Sequence, residues 1–386
     1  MQTLDKFLQS KPLYYKEIDH QRVFVAYNKL KPHIKEPTNT IHIVGTNGKG
    51  STGRIISHLV HKATDKSITH YTSPHILKFN ERIWIDGEDS SDEVLESAHQ
   101  RLYKILGKEL SDRLSYFEYT TLLALVVFEN SFLAVLEAGL GGEYDATNVC
   151  DKNLSVITPI GLDHQAFLGD SIEQIATTKI NSIKSKAIIA PQEYPQVYEV
   201  ATTIAASKGA TITQIEPTAH KHYAKVKKIA ISKQWGEYLV DNAIVALSAL
   251  EALGIEYDVD DLNSLELFGR YYPLAPNIRI DVGHNPLAAK ALAKSIKKPV
   301  TLIYNSLDDK DYTEVLSILK PKIKDVQIIP IHSQRAATLQ QIEEALTSLK
   351  IPYTNFQNQI DEKSDYLVFG SFYVVEEFLK WYKNKR

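Results

Sequence analysis

The sequence has 386 residues, of which 44% are hydrophobic and 24% are charged, as is typical of a globular chain too long for one core. Its net charge of −3 gives no indication of a nucleic-acid or anionic-membrane partner. The single cysteine, Cys150, excludes an intramolecular disulfide, and residues 1–19 carry charges throughout and no apolar signal-peptide core. No apolar run is long enough to span a bilayer. These features predict a cytoplasmic protein of two domains.

Strand-like apolar runs alternate with helical patterns along the chain, which predicts an α/β architecture. In the N-terminal part the patterns predict strands at 41–46, 132–137 and 154–160, and helices at 52–63, 119–129, 172–179 and 241–253. The last of these helices should end at Gly254, since glycine is a good C-terminal cap.

Residues 265–276 interrupt this alternation with two prolines and a glycine and have no clear period. We therefore expect a domain boundary here, with domains at 1–266 and 267–386. The remaining patterns predict strands at 278–282, 300–304, 326–330 and 366–369, and helices at 286–296, 313–319 and 338–349. This order is typical of a small doubly wound sheet.

A glycine-rich segment between the first strand and its helix is the strongest indication of function. Residues 45–52 read GTNGKGST. Glycines let backbone N–H groups face phosphate oxygens, and the start of the helix adds a positive dipole end. Lys49 can reach the β- and γ-phosphates, and Ser51 or Thr52 can face Mg²⁺. Only two residues separate the first two glycines, and Gly50 follows the lysine, so the strict G-x-x-x-x-G-K-[ST] loop of GTPases and kinases matches poorly. The alternative is a glycine-rich turn without a ligand.

From this loop onward the sequence resembles the folylpolyglutamate synthase/dihydrofolate synthase family of the Mur ligase superfamily. The matching segments are GTNGKGS (45–51), YTSPHILKFNERI (71–83), YFEYTTLLAL (116–125), LEAGLGGEYDATNV (136–149), ITPIGLDHQAFLG (157–169), IATTKINSIK (175–184), GRYYP (269–273), IDVGHNP (280–286), DDKDY (308–312) and GSFY (370–373). The resemblance implies an α/β fold made of a P-loop N-terminal domain with a parallel-rich central sheet and a smaller Rossmann-like C-terminal domain. It also implies an ATP-dependent ligase that uses two Mg²⁺ ions, forms an acyl phosphate on dihydropteroate or folate, and joins it to L-glutamate.

The resemblance also assigns residues to roles. The ATP-binding positions are Gly45, Thr46, Asn47, Gly48, Lys49, Gly50, Ser51, Thr52, Asn242, Arg270 and Asp281. The metal ligands are Ser73, Glu137 and His164, and the pteroate or folate contacts are Phe117, Glu118, Tyr144, Asp145 and Ala146. Lys49, Lys179 and His284 are the catalytic candidates. The chemistry of Glu137 agrees with its role, because an acid at the end of a buried strand is costly unless it meets a cation.

Several of these positions leave an alternative open. His164 also suits a hydrogen-bonded structural histidine, since Mg²⁺ prefers oxygen ligands. Lys179 matches a lysine that the family carries in carbamylated form, but Thr178 and Asn181 stand where the family has glutamate and glycine. An ordinary exposed lysine is the alternative there. Phe117 fits helix packing as well as stacking on a pterin ring.

Three further segments are open in the same way. Residues 145–148 (DATN) also suit a simple turn. Lys310 and Asp311 resemble the family's D-K-D segment but also suit a solvated turn, because charged turn residues are normally exposed. Asn242 follows GEYLVD, where the family more often has a histidine and a glutamine, so its contact with the nucleobase is open.

Three other functions explain part of the pattern: a peptidoglycan Mur ligase, a P-loop ATPase acting as a switch, and a non-catalytic folate- or nucleotide-binding protein. The TSPH, FE and DATN segments favour the folate branch, and the altered loop argues against a switch. Lys49, Ser73, Glu137 and His164 together argue against a non-catalytic protein. Within the family we predict both glutamate additions on one site, with a monofunctional dihydrofolate synthase as the alternative. The expected partners are these small molecules only, and family members are commonly monomers.

Overall fold

The computed structural model describes residues 2–12, 19 and 21–385, so part of the charged N-terminal stretch and Arg386 of the basic C-terminal run lie outside the described residues. The chain forms two compact units. The first unit comprises Met1–Ile160, Ile172–Glu216 and Val245–Asp261, and the second comprises Gly161–Ser171, Pro217–Ile244 and Leu262–Arg386. The second unit therefore also takes two segments from the N-terminal part of the sequence. A boundary between residues 266 and 267 stays a prediction.

The strands are β1 (Asn39–Val44), β2 (Ile68–Tyr71), β3 (Ile83–Ile85), β4 (Glu88–Asp89), β5 (Leu133–Glu137), β6 (Leu154–Ile157), β7 (Lys186–Ile189), β8 (Thr211–Gln214), β9 (Tyr272–Ala275), β10 (Ile278–Ile280), β11 (Val300–Tyr304), β12 (Ile323–Ile328), β13 (Tyr353–Asn355) and β14 (Tyr366–Phe369). The α-helices are α1 (Leu4–Gln9), α2 (Arg22–Leu30), α3 (Lys49–Ala63), α4 (Asp92–Leu106), α5 (Lys108–Arg113), α6 (Tyr116–Val127), α7 (Gln165–Leu168), α8 (Ile172–Ile180), α9 (Gln196–Lys208), α10 (Tyr223–Ser232), α11 (Tyr238–Leu253), α12 (Pro286–Ser295), α13 (Tyr312–Leu319), α14 (Leu339–Ser348) and α15 (Phe372–Asn384). Short 3₁₀ helices cover Lys31–His33, Phe79–Arg82, Ala146–Val149, Pro217–Ala219, Val259–Ser264 and Lys320–Lys322.

The first unit is built on an eight-stranded sheet with the order β4-β3-β2-β5-β1-β6-β7-β8. The strands from β2 to β8 in this order run parallel, and β3 and β4 are antiparallel additions at one edge. Every residue of β5 is buried, as expected for a parallel strand that is covered on both faces. In the register, Ile43 of β1 pairs with Glu137 of β5, so the loop after β1 and the Glu137 side chain lie at the same edge of the sheet.

The second unit is built on a six-stranded sheet with the order β13-β12-β11-β14-β10-β9, in which only β9 is antiparallel. The two-domain α/β architecture predicted from the sequence is confirmed. The interpretation of residues 265–276 as irregular was wrong in part, because β9 lies within them. Pro273 lacks an N–H group, yet it is tolerated because β9 is an edge strand.

Most predicted elements are present with ends that differ by a few residues. Helix α3 begins at Lys49, before the apolar pattern that predicted a start at Thr52, because the last residues of the glycine-rich loop already form the first turn. Helix α11 ends at Leu253, and Gly254 follows with φ +64°, the left-handed conformation expected of a glycine cap. Among the described residues, none of the helices combines the length and apolar character needed to cross a bilayer.

Candidate active site

The glycine-rich loop between β1 and α3 is fixed by the segment that follows β6. The N–H groups of Thr46 and Asn47 donate to the carbonyl of Pro159 at 2.9 and 3.1 Å. Gly48 has φ +87° and directly precedes α3, where a residue with a Cβ would be strained. A Cβ on Gly45 would overlap the hydroxyl of Thr158, so only glycine fits this close approach.

Two lysines bring their ammonium groups to this loop. Lys49 Nζ donates to the carbonyls of Gly45 and Thr46 at 2.9 and 3.1 Å. Lys179 Nζ donates to the same Gly45 carbonyl at 3.1 Å. Lys179 is only 5% exposed, because it lies on the face of α8 that also buries Ile172 and Ile175. The alternative of an ordinary exposed lysine is therefore wrong, and the loop carries concentrated positive charge.

Glu137 ends β5 as a buried carboxylate, 2% exposed. Its Oε1 is hydrogen-bonded to Nε2 of His70 in β2, and its Oε2 has no partner among the described residues. Burial lowers the pKa of His70 although the Glu137 charge opposes this shift. Gly53 of α3 permits the arrangement, because a Cβ there would stand 2.5 Å from His70 Nε2 and 3.2 Å from Glu137 Oε1. His70 was missed in the sequence, although a histidine within the apolar strand ITHY was a signal for it.

Ser73 lies just after β2, which is the neighbour of β5, with Tyr71 paired to Leu136. Ser73, Glu137 and the loop after β1 thus lie at the ends of three adjacent parallel strands. Open α/β sheets bind ligands at such strand ends. Within the described residues, no group of three or more His, Cys, Asp or Glu side chains is arranged to hold a metal ion. Ser73 and Glu137 nevertheless fit Mg²⁺, which takes few protein ligands and prefers oxygen. The buried Thr52 Oγ1 has no hydrogen-bond partner in the part of the chain that the structure describes.

The residues predicted to bind pteroate or folate differ in exposure. The half-buried Phe117 ring lies 5.9 Å from the Tyr71 ring, and a Cβ on Gly139 would meet it at 2.5 Å. Glu118 closes a capping box with Ser115, and its two oxygens pair with Arg22 at 3.0 Å each. Both oxygens are therefore engaged within the protein, and the contact of Glu118 with the acceptor stays a prediction.

Asp145 holds the DATN segment in place. It accepts hydrogen bonds from Leu140 N at 2.8 Å and from Thr147 N at 2.9 Å, and it caps the 3₁₀ helix that follows. Burial raises its pKa even though these hydrogen bonds oppose the shift. Tyr144 is 52% exposed, whereas Asp145 and Ala146 are buried. The turn interpretation thus describes Asp145 well, and Tyr144 is the accessible side chain of the segment.

In the second unit, Asp163 is the centre of a polar cluster that the sequence did not indicate. Its carboxylate lies 2.6 Å from Lys310 Nζ and accepts a hydrogen bond from Asn285 Nδ2 at 3.0 Å. Nε2 of His284 and Nε2 of His164 lie 3.6 and 3.9 Å away. Burial alone would raise the pKa of Asp163, but the hydrogen bond and charge of His284, with the charges of His164 and Lys310, lower it far below its usual range.

The interpretation of Lys310 as part of a solvated turn was wrong, since its side chain is 4% exposed and ion-paired. The exposed Asp311 caps α13 through Glu314 N at 2.9 Å. The local DDKD pattern gives no hint of this difference, because the partner of Lys310 comes from a distant part of the sequence.

Asp281 is also buried and engaged. It accepts hydrogen bonds from Tyr238 Oη at 2.7 Å and from the N–H groups of Tyr271 and Gly283 at 2.9 and 2.8 Å, and burial raises its pKa. The Arg270 guanidinium donates to Gly269 O at 3.1 Å and lies 5.7 Å from the Phe372 ring. Asn242 is 5% exposed. Nucleotide contacts of Asp281, Arg270 and Asn242 stay predictions.

No protein family model matches the chain. Searches of curated proteins and of solved structures both find folylpolyglutamate synthases. The dihydrofolate synthase/folylpolyglutamate synthase of Escherichia coli (strain K12) is 33% identical and covers 88% of this chain and 85% of its own length. The crystal structure of Helicobacter pylori folylpolyglutamate synthetase is 40% identical with a TM-score of 0.79, covering 99% of this chain and 98% of its own. The structure of Escherichia coli FolC in complex with DHPP and ADP is 27% identical with a TM-score of 0.85, covering 100% and 99%.

Proposed function

The chain belongs to the folylpolyglutamate synthase/dihydrofolate synthase family, and from this premise we propose that it adds L-glutamate to dihydropteroate and to folate in an ATP- and Mg²⁺-dependent reaction. The observation that carries the proposal is the edge of the first sheet. There the glycine-rich loop and the buried Glu137 lie at the ends of two adjacent parallel strands, and the side chains of Lys49 and Lys179 both donate to the Gly45 carbonyl of the loop. The similar FolC structure with ADP and DHPP supports the choice of ligands.

Amide formation in water needs a leaving group, and transfer of the γ-phosphoryl group to the carboxylate supplies an acyl phosphate. Phosphoryl transfer chiefly needs positioning and charge neutralisation. Lys49 supplies positive charge at the loop, where the Gly45 carbonyl accepts a hydrogen bond from its ammonium group, and Lys179 Nζ donates to the same carbonyl. Ser73 and Glu137 would hold Mg²⁺, which would supply further neutralisation of the phosphate charge.

The finer features of the metal site belong to the same proposal: two Mg²⁺ ions, His164 as a ligand of the second, and carbamylation of Lys179. The burial of Lys179 supports carbamylation, since a carbamate there is shielded from water. The departure from the family pattern at Thr178 and Asn181 argues against it.

We assign His284 to the amine half of the reaction. The ammonium group of glutamate must lose a proton before it attacks, and an imidazole is the usual acceptor near neutral pH. His284 Nδ1 lies 3.2 Å from the carbonyl of Val282, which holds the ring through that nitrogen and leaves Nε2 to accept the proton. The Asp163 carboxylate, 3.6 Å from Nε2, would stabilise the imidazolium that forms. Asn242, Arg270 and Asp281 are assigned to the nucleotide.

The test is ADP release measured with ATP, Mg²⁺, L-glutamate and either dihydropteroate or tetrahydrofolate. ADP release that requires glutamate with both acceptors supports the bifunctional ligase, and release with dihydropteroate alone identifies the monofunctional alternative. Release that is independent of glutamate and acceptor refutes the ligase and favours a P-loop ATPase. A monomer and a cytoplasmic location are part of the proposal, tested by light scattering and by cell fractionation.

A further inference from the structure

Arg82 is a buried cation that has no acidic partner among the described residues. It ends the 3₁₀ helix Phe79–Arg82 in the TSPHILKFNER segment and is 8% exposed. Its Nε donates to His75 Nδ1 at 2.8 Å, and its guanidinium lies 5.3 Å from the Tyr116 ring centre. No Asp or Glu in the described part of the chain forms an ion pair with it. A buried charge without a counter-ion is costly, so a retained one calls for an explanation.

The acid next to Arg82 in sequence does not neutralise it. Glu81 accepts hydrogen bonds from the backbone N–H groups of Ile76, Leu77 and Lys78 at 2.6, 2.8 and 2.8 Å and so holds the loop after β2. His75 does not compete for an anion either. Its Nδ1 accepts the hydrogen bond from Arg82 Nε.

The surroundings of Arg82 are aromatic and adjoin the predicted acceptor site. The Phe79 ring lies 6.4 Å from the ring of His75 and 6.3 Å from that of Tyr116. Tyr116 is followed in α6 by Phe117, the predicted stacking partner of the pterin ring. A guanidinium in this position suits a carboxylate of the acceptor, because it presents paired N–H donors in a fixed fork.

We propose that Arg82 binds the non-reacting α-carboxylate of a folate acceptor and so serves the second glutamate addition and not the first. A carboxylate clamped by a guanidinium has its oxygens engaged and is a poor nucleophile toward phosphorus, so the bound carboxylate is not the one that is activated. Dihydropteroate has only one carboxylate, and it is the one that reacts. Folate has two on its glutamyl residue, so one of them, the α-carboxylate, is left unreacted. This inference rests on the proposed function and makes Arg82 a specificity residue within it.

The test compares Arg82→Gln and Arg82→Lys with the wild type, using both acceptors. Arg101→Gln is the matched control, since Arg101 pairs with Glu129 at the surface, where its side chain is 42% exposed. In Arg82→Gln the KM for tetrahydrofolate should rise at least about tenfold, as expected for loss of a charge-assisted hydrogen-bond pair. The KM values for dihydropteroate, ATP and glutamate should stay within about threefold, and Arg82→Lys should recover part of the loss.

Equal losses with both acceptors, or an unchanged KM for tetrahydrofolate, would overturn the proposal and leave Arg82 a structural residue packed on Tyr116. Equilibrium binding separates this result from failure of the proposed function. Trp84 lies in β3, two residues after Arg82. Its fluorescence can report the binding of folate and of pteroate without turnover. If the wild type binds both ligands without catalysis, the ligase fails, and a selective loss of folate binding in Arg82→Gln still supports the carboxylate site.

Discussion

Breaking the buried pair between Asp163 and Lys310 should cost more stability than removing both charges. Their side chains are 8% and 4% exposed, and the charged atoms lie 2.6 Å apart. Asp163→Asn leaves the Lys310 ammonium buried without an anion, which typically costs about 3–5 kcal/mol. Lys310→Met should cost less, about 1–3 kcal/mol, because Asp163 keeps the hydrogen bond from Asn285 and the nearby His284.

The assay is urea unfolding followed by tryptophan fluorescence, with the Asp163→Asn/Lys310→Met double variant closing a thermodynamic cycle. Trp235 and Trp381 both belong to the second unit and report on it. Lys297→Met is the matched control. Lys297 pairs with Glu237 at 2.8 Å, but both side chains are largely exposed, so little change is expected.

The pH dependence follows from the direction of the pKa shift. The folded pKa of Asp163 is lowered, so its contribution to stability is complete above the unfolded value of about 3.9 and is lost as pH falls from there through the folded pKa. The stability gap between wild type and Asp163→Asn should thus narrow as pH falls below about 4. A loss of less than about 1 kcal/mol in Asp163→Asn, or additive single variants, would refute this explanation of the cluster.

Three further predictions concern the first unit. Gly45→Ala should weaken nucleotide binding in a fluorescent-nucleotide titration, because its Cβ would overlap the Thr158 hydroxyl and displace the loop; unchanged affinity would contradict this. Glu137→Gln keeps an acceptor for His70 but removes the charge, so Mg²⁺-dependent kcat should fall at least about a hundredfold with an unchanged circular dichroism spectrum. Near-normal turnover would mean that another acid binds the metal. Gentle intact-protein mass analysis in bicarbonate should find one added CO₂ on Lys179, and full activity with an unmodified lysine would exclude carbamylation.

The sequence predicted those parts of the fold that local patterns determine. The run from β1 through the glycine loop into α3 has a buried strand, a turn that only glycine permits, and an amphipathic helix, and all three appear in the structure. The strands β11 and β14 were predicted with the bounds that they have. Strand β9 was missed because Pro273 argues against a strand unless its edge position is known.

The site was less predictable because its contacts join distant segments. The sequence around Lys310 also suits a solvated turn, since nothing near it in sequence reveals that Asp163 neutralises it. Motif resemblance named Glu118 and Asp145 as ligand contacts, whereas the structure engages their oxygens within the protein. Tertiary pairing thus decides which side chains remain available for ligands, and the ligand contacts of Glu118 and Asp145 stay predictions.

The most direct test of the central claim uses an acceptor whose carboxylate carries ¹⁸O. If both oxygens of that carboxylate are labelled, and the enzyme activates it as an acyl phosphate from which glutamate displaces the phosphate, each inorganic phosphate should contain one ¹⁸O atom. Glutamylated product should form in equal amount. Phosphate without ¹⁸O, released whether or not glutamate is present, would contradict the ligase and identify simple ATP hydrolysis.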